Sequence, residues 1–195
     1  MLYKLAHFLR DRLNWLWNII EGLNGWLFSM RYGKALERIT INEVPKGFDL
    51  VKMSDIPTEE MVSFFNRQPE EAYTFFRPHG FDAKSVRRLQ KNKSFLAYVL
   101  KDKTIGQIAG YCFNRSFFHG KAFRGRMVDI DYRGKGLGIA MNKILNEVGF
   151  GIGLRLFETV SKENVASYRS ALSASKVRVV KEMPGNELFL EIRLL

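Results

Sequence analysis

A glycine-rich loop between a strand and a helix limits the folds that this chain can adopt. A β-rich run at 121–130 leads into Arg-Gly-Lys-Gly-Leu-Gly at 133–138, and apolar residues then recur at helical spacing over 136–148. Glycines let the backbone turn tightly and expose its N–H groups to a ligand. The start of a helix adds partial positive charge at the same place. This order of elements predicts an anion site suited to a pyrophosphate.

The loop matches neither of two common phosphate-binding patterns. The P-loop pattern GxxxxGK[ST] is absent from the sequence. The dinucleotide pattern GxGxxG is incomplete, because Met141 stands where its third glycine belongs. A glycine-rich turn between a strand and a helix is often only a turn, so the loop alone does not identify its ligand.

The rest of the chain supplies further strands and helices around this loop. β-rich runs at 94–100 and 104–114 are separated by Lys-Asp-Lys, which favours an antiparallel hairpin. Another strand is predicted at 154–160 and a helix at 163–173, followed by a second hairpin over 177–192. This order predicts an α+β protein with a mixed sheet.

The same loop, taken with its flanking elements, resembles the cofactor-binding region of the GNAT superfamily of N-acetyltransferases. The family pattern R/Q-x-x-G-x-G/A corresponds to Arg133, Gly136 and Gly138. A second family pattern, a strand followed by N-x-x-S/A at a helix start, corresponds to Asn164 and Ser167. The resemblance covers roughly residues 48–192. It implies a GNAT-like, mixed and mostly antiparallel sheet flanked by helices.

The resemblance also implies acetyl-CoA as the cofactor. The pyrophosphate would be held by the loop and its first helical residues, mainly through backbone N–H groups: Arg133, Gly134, Lys135, Gly136, Leu137, Gly138 and Ile139. The pantetheine arm would pair with the backbone of Met127, Val128 and Asp129, and Asn164 would reach the same region. Capping of a helix is the structural alternative for Asn164.

The implied reaction is direct transfer of an acyl group to a neutral amine, which requires a route for the proton of the amine. Three residues are candidate bases: Glu158 within a strand, Asp129 at a strand end, and His119 in a turn. A solvated or paired side chain is the structural alternative for each. The family often places an acidic tyrosine seven residues after the asparagine, where this chain has Ala171. The general acid is therefore unassigned.

The acceptor is expected to bind near an aromatic segment at 69–81. Phe76, Arg77 and His79 are the candidate substrate-binding residues, since rings stack on sugars and bases and arginine binds phosphate. The segment weakly resembles GNAT enzymes that acetylate amino sugars, so a nucleotide-linked amino sugar is one small-amine acceptor to consider. A hydrophobic cluster is the structural alternative. A protein or peptide amine is the second acceptor class, and a non-enzymatic GNAT-like binding module is the competing function.

Residues 1–40 are predicted to form an amphipathic helical extension of a GNAT-like domain at 41–195. All three tryptophans of the chain, Trp15, Trp17 and Trp26, lie in this extension. Charged residues interrupt its apolar face, which disfavours a transmembrane helix and a secretory signal, so a cytoplasmic protein is expected. The face predicts either peripheral contact with an anionic membrane or packing on the domain or on a second copy in a homodimer.

Charge and composition exclude several other classes of protein. The formal net charge of +11 favours anionic partners. The basic residues are dispersed and match no nucleic-acid-binding motif, so no nucleic-acid partner is expected. A single cysteine, Cys112, excludes an internal disulfide, and three scattered histidines make a metal site unexpected.

Overall fold

The computed structural model describes residues 14–195, with side chains from residue 19 onward. The part of the predicted N-terminal helix that precedes Asn14 lies outside the described residues. Five helices are described: α1 (Asn14–Leu36), α2 (Thr58–Asn66), α3 (Ala83–Lys91), α4 (Leu137–Gly151) and α5 (Val165–Ala174). Seven strands accompany them: β1 (Phe48–Lys52), β2 (Phe95–Asp102), β3 (Ile108–Ser116), β4 (Lys121–Val128), β5 (Arg155–Ser161), β6 (Lys176–Met183) and β7 (Glu187–Arg193).

The seven strands form one sheet in the order β1-β2-β3-β4-β5-β7-β6. Every neighbouring pair is antiparallel except β4 and β5, which run parallel. The predicted class, α+β with a mixed and mostly antiparallel sheet, is confirmed. The predicted hairpins correspond to β2–β3 and β6–β7.

The parallel pairing of β4 with β5 is short. It extends only from Lys121 opposite Arg155 to Phe123 opposite Phe157. Beyond these pairs β4 remains bonded to β3, and β5 remains bonded to β7. The two halves of the sheet therefore diverge, and a gap opens between β4 and β5.

Helix α4 covers one face of the sheet beside this gap. Its buried face includes Leu137, Met141 and Ile144, at the spacing that the sequence predicts. Met141 lies so close to β3 that a Cβ on Gly110 would meet its sulfur at 3.0 Å. Helices α2 and α3 cover the opposite face, through a second cluster of buried residues that includes Phe64 and Leu89.

Helix α1 packs on the sheet at the end where β4 begins. Phe28 is fully buried, Tyr32 is nearly so, and their rings lie 4.8 Å apart. The amide of Asn24 donates to Ser94 Oγ at 2.9 Å and to the carbonyl of Ser116 at 3.0 Å. The described part of α1 is thus anchored by both apolar and polar contacts.

The opposite side of α1 carries an exposed apolar stripe of four residues at alternating spacings of four and three. Its members are Ile19, Leu23, Trp26 and Met30, whose exposed fractions lie between 55% and 67%. Among residues 14–195, none of the helices combines the length and the apolar character that crossing a bilayer requires.

Replacing Phe28 by alanine tests how tightly α1 is bound. We expect Phe28→Ala to lower the free energy of unfolding by about 3–5 kcal/mol, because it leaves a cavity beneath α1. Met30→Ala, on the exposed side of the same helix, is the matched control and should change it by less than about 0.5 kcal/mol. Urea unfolding measures both. Equal effects of the two substitutions would contradict the packing of α1.

Candidate active site

A cleft of about 1010 Å³ lies where β4 and β5 diverge. The last residues of β4 and β5, the glycine loop at 133–138 and the start of α5 line it. Part of the aromatic segment before α3 closes its other end. The cleft thus brings together most of the elements on which the predicted site depends.

The glycine loop meets the cleft at the start of α4. Gly134 and Gly136 have φ angles of +76° and +77°, in the left-handed region that favours glycine. Gly136 is the N-cap of α4, and its carbonyl accepts the first helical bonds from the N–H groups of residues 139 and 140. The N–H groups of 134–138 have no backbone acceptor among the described residues. These free donors and the helix dipole make the start of α4 suited to an anion.

Two residues near the loop differ in their relation to the cleft. Arg133 is exposed and lines it. The ammonium group of Lys135 instead lies 4.6 Å from the centre of the Tyr132 ring, and Lys135 is not part of the lining. The hydroxyl of Tyr132 in turn donates to Asp102 Oδ2 at 2.9 Å.

The backbone of β4 presents unpaired groups to the gap. The N–H of Asp129 donates to the carbonyl of Ala109 at 2.9 Å, so Asp129 and, two residues earlier, Met127 face β3. The alternate residues Arg126 and Val128 direct their N–H and carbonyl groups toward β5, beyond the last β4–β5 pair. Of the three residues predicted to meet the pantetheine arm, Val128 is the one whose backbone faces the gap.

Three charged side chains are buried in the wall of the gap, and we call them the charged cluster: Arg124, Arg126 and Glu158. Glu158 Oε2 accepts from Arg124 Nε at 2.7 Å and from Arg126 Nη1 at 3.3 Å. The exposed fractions of the three side chains are 0%, 8% and 4%. Burial alone would raise the pKa of Glu158, but the two guanidinium groups outweigh it and hold this pKa below its ordinary value.

Both arginines of the charged cluster also bind the helices that cover the gap. Arg124 Nη1 donates to Asn146 Oδ1 in α4 at 2.7 Å. Arg126 Nη2 donates to the carbonyl of Ser167 at 2.8 Å and to its hydroxyl at 3.1 Å. The charged cluster therefore connects β4, β5, α4 and α5.

Asn164 lies at the start of α5 and lines the cleft. Its side-chain oxygen accepts from the N–H of Ser167 at 3.1 Å, so it caps the helix. One turn further on, the hydroxyl of Ser170 accepts from Asn142 of α4 at 3.0 Å and also lines the cleft. Ala171, at the position of the family tyrosine, is fully buried.

Asp129 lies outside the cleft lining and is fully buried. Its Oδ2 accepts from Arg67 Nε and from Gln68 Nε2, both at 2.7 Å, and its Oδ1 accepts from the N–H of Asp131 at 3.0 Å. The carboxylate thus ties the end of α2 to the segment that precedes the glycine loop.

His119 lies in the turn between β3 and β4, at the opposite end of β4 from the glycine loop. Its ring is exposed and stacks on Phe117 with 5.4 Å between ring centres. The eight residues of β4 rise by roughly 26 Å. His119 is therefore distant from the loop.

The three predicted substrate-binding residues do not lie together in the structure. Phe76 and Arg77 line the cleft, and Arg77 Nε also donates to the carbonyl of Tyr73 at 3.1 Å. His79 instead lies within an aromatic cluster and outside the lining: its Nδ1 donates to the carbonyl of Gly80 at 2.8 Å, and its Nε2 accepts from the hydroxyl of Tyr111 at 2.9 Å.

The burial of His79 predicts a pH dependence of stability. Desolvation lowers its pKa from 6.5 to about 4. Because the unfolded chain is protonated first as the pH falls, His79 lowers the free energy of unfolding between pH 6.5 and about 4, by about 3 kcal/mol in total. In His79→Gln this loss is absent, so the variant should lose about 3 kcal/mol less than the wild type between neutral pH and pH 4.

Urea unfolding at the two pH values measures this difference. His119→Gln is the matched control, because His119 is exposed, and it should reproduce the wild-type loss. If His79→Gln loses as much stability as the wild type, His79 is not held neutral in the aromatic cluster.

No model of a known protein family matches the sequence, and no curated protein matches it. Solved structures do. The GNAT domain of S. lividans PAT superposes with a TM-score of 0.63 at 15% identity, over 74% of this chain and 89% of that one. A ribosomal-protein-S5-alanine acetyltransferase from Vibrio fischeri gives 0.61 at 17% identity, over 75% and 91%. AAC(6')-Ib, solved with paromomycin and acetyl-CoA, gives 0.54 at 15% identity, over 75% and 92%.

The chain therefore has the GNAT fold, and the resemblance inferred from the sequence is confirmed at that level. The charged cluster includes two arginines, Arg124 and Arg126, that the sequence reasoning missed. A signal was present: Arg124 and Arg126 stand two residues apart in β4, and Glu158 follows two apolar residues in β5. Such residues within a predicted strand point to a cross-strand pair, but only the register shows which ones meet.

Proposed function

We propose that this chain is an N-acetyltransferase that uses acetyl-CoA. The observation that carries the proposal is the gap between β4 and β5, which adjoins the free N–H groups of 134–138. An extended strand edge beside an anion site suits a ligand with a diphosphate at one end and an amide-containing arm at the other. Acetyl-CoA has this form, and AAC(6')-Ib was solved with it bound.

The residues present fit this ligand. The N–H groups of the glycine loop, with Arg133, would hold its pyrophosphate. The free backbone groups of Arg126 and Val128 would pair with its amides, as an added strand pairs with a sheet edge. Acetyl-CoA supplies an acyl group that is activated as a thioester.

The proton of the amine leaves through water in this proposal. Glu158 is ion-paired to two arginines that lower its pKa, which makes it a weak base. The carboxylate of Asp129 is fully engaged, and His119 lies in a distant turn. The cleft is large enough for a chain of water molecules that carries the proton to solvent. Arg124 and Arg126 add a positive potential that stabilises developing negative charge.

A small amine is the proposed acceptor. The wall of the cleft opposite the glycine loop is aromatic, with Phe75, Phe76 and Phe113 next to Arg77 and Arg115. Rings and guanidinium groups together suit a sugar or base that carries a phosphate, so a nucleotide-linked amino sugar remains the acceptor of choice.

Gly136→Glu tests the anion site. The substitution places a carboxylate at the N-cap and strains a residue with φ +77°, so acetyl-CoA should no longer raise the thermal midpoint of unfolding. Gly153→Glu is the matched control: it lies beyond the other end of α4, with φ +79° and equally open surroundings. The control should lose similar intrinsic stability yet keep the shift.

The proposal would be contradicted if none of several acyl-CoA esters raised the thermal midpoint of unfolding of the wild-type protein. Release of free thiol in the presence of a panel of amines, amino-sugar nucleotides included, then separates an enzyme from a binding module. Binding of acetyl-CoA with no thiol release from any amine would favour the module.

We also propose that the apolar stripe of α1 contacts an anionic membrane. Lys34 follows Met30 by one turn on the same side of the helix. Glu21, the one acidic residue of the described part of α1, lies on another side of the helix, 4.0 Å from Arg88. The net charge of +11 attracts an anionic surface and repels a second copy of the chain. Trp26 is a residue type that favours the membrane interface.

Co-sedimentation with vesicles tests this contact. The full chain should pellet with vesicles that contain phosphatidylserine at low salt and stay soluble with phosphatidylcholine alone. The pair Trp26→Gln and Met30→Gln should abolish pelleting, whereas Ile105→Gln, an equally exposed apolar residue elsewhere, should not. If the wild type does not pellet but forms a dimer that the two substitutions dissociate, a second copy of the chain covers the stripe instead.

A further inference from the structure

The charged cluster carries more positive charge than its local pairing requires. Arg124 and Arg126 share the single carboxylate of Glu158, through the same oxygen, Oε2. Their other partners, Asn146 and Ser167, are neutral. A net charge of +1 is therefore buried in the wall of the gap. Buried charge without a counter-charge is strongly unfavourable in a protein, so a ligand that supplies one would bind well here.

Two polar atoms of the charged cluster have neither a hydrogen-bond partner nor contact with solvent. Arg124 Nη2 and Glu158 Oε1 are buried and have no hydrogen-bond partner among residues 14–195. Both residues line the cleft. The unpaired guanidinium nitrogen belongs to a side chain that is fully buried, where a charge-assisted hydrogen bond is strongest.

The rest of the cleft has the same sign of charge. Five arginines and three glutamates line it in total. Arg133 lies at the glycine loop and serves the pyrophosphate in the proposed function. The charged cluster lies at the other end of the gap, next to the last β4–β5 pair at Phe123, so it serves a different part of the bound molecules.

We propose that the charged cluster is a carboxylate subsite, which makes one of the two substrates an anion at its reacting end. This inference rests on the proposed binding of a CoA thioester in the gap; a carboxylate on the acyl group would replace acetyl-CoA as the donor. The carboxylate reaches the cluster either on the acyl group of the thioester, as in succinyl-CoA, or on the acceptor, as in an amino acid. Arg124 and Arg126 bind it, and Glu158 holds the two guanidinium groups in place.

Calorimetric titration of the full chain with CoA, acetyl-CoA and succinyl-CoA tests the first source. If the acyl group carries the carboxylate, succinyl-CoA should bind about tenfold more tightly than acetyl-CoA. Arg126→Gln should remove that preference, so that the two esters bind with similar affinity. Ser167→Ala is the matched control: it removes one neutral partner of Arg126, keeps the charge, and should keep the preference.

Paired acceptors test the second source. Thiol release from acetyl-CoA is measured with phenylalanine and phenethylamine, and with aspartate and β-alanine, pairs that differ by one carboxylate. If the acceptor carries the carboxylate that binds the charged cluster, acetyl-CoA and succinyl-CoA should bind with equal affinity. The member of a pair with the additional carboxylate should then have a kcat/KM about tenfold higher in wild type, and this ratio should fall toward one in Arg126→Gln.

The outcomes separate the subsite from the proposed function. The subsite is overturned if both esters bind equally and the acceptor pairs show either no carboxylate preference or no thiol release. This result leaves acetyl-CoA binding intact. Failure of CoA and both esters to bind overturns the proposed function itself. Thermal unfolding of each variant checks its fold. If Arg126→Gln does not fold, Arg126→Lys is used: its single ammonium cannot bridge Glu158 and a ligand as the fork does, and the preference should still fall.

Discussion

The early end of the β4–β5 pairing is the constraint on which the site depends. Only three residue pairs join the two halves of the sheet through their backbones. The next side chain along β4, Arg124, then reaches Glu158 of β5 at 2.7 Å. An ion pair thus joins the two strands where the backbone hydrogen bonds between them end. It holds the halves together at the base of the gap while the backbone of β4 remains free for a ligand.

This arrangement explains why charged residues are tolerated inside the sheet. Replacing a buried ion pair by apolar residues often costs a protein nothing, so stability alone does not account for the charged cluster. Apolar side chains at these positions would close the base of the gap by packing together. The arginines instead bind Asn146 and Ser167, which keeps α4 and α5 at a fixed distance above an open cleft. The proposed carboxylate subsite would account for their presence.

The sequence predicted the parts of the site that depend on local chemistry. The glycine loop, the helix after it and the two hairpins follow from residue type and spacing, and all lie close to their predicted bounds. The parts that depend on contacts distant in sequence were missed. Asp129 accepts from Arg67 and Gln68, which lie some sixty residues earlier in the sequence. His79 was predicted to bind substrate, but it lies among rings contributed by three separate segments. No local pattern reveals such contacts.

Ala171 shows what the helix packing allows at the position of the family tyrosine. The side chain of Ala171 is fully buried, and on the same helix Ser170 lies so close to α4 that a Cβ on Gly138 would meet its hydroxyl at 3.2 Å. Small residues let α5 approach α4, and a tyrosine at 171 would push the two helices apart. The hydroxyl of Ser170 is occupied by Asn142. Acyl transfer in this cleft would therefore depend on the positive potential of the charged cluster and on water, because no acidic side chain is held at that point of α5.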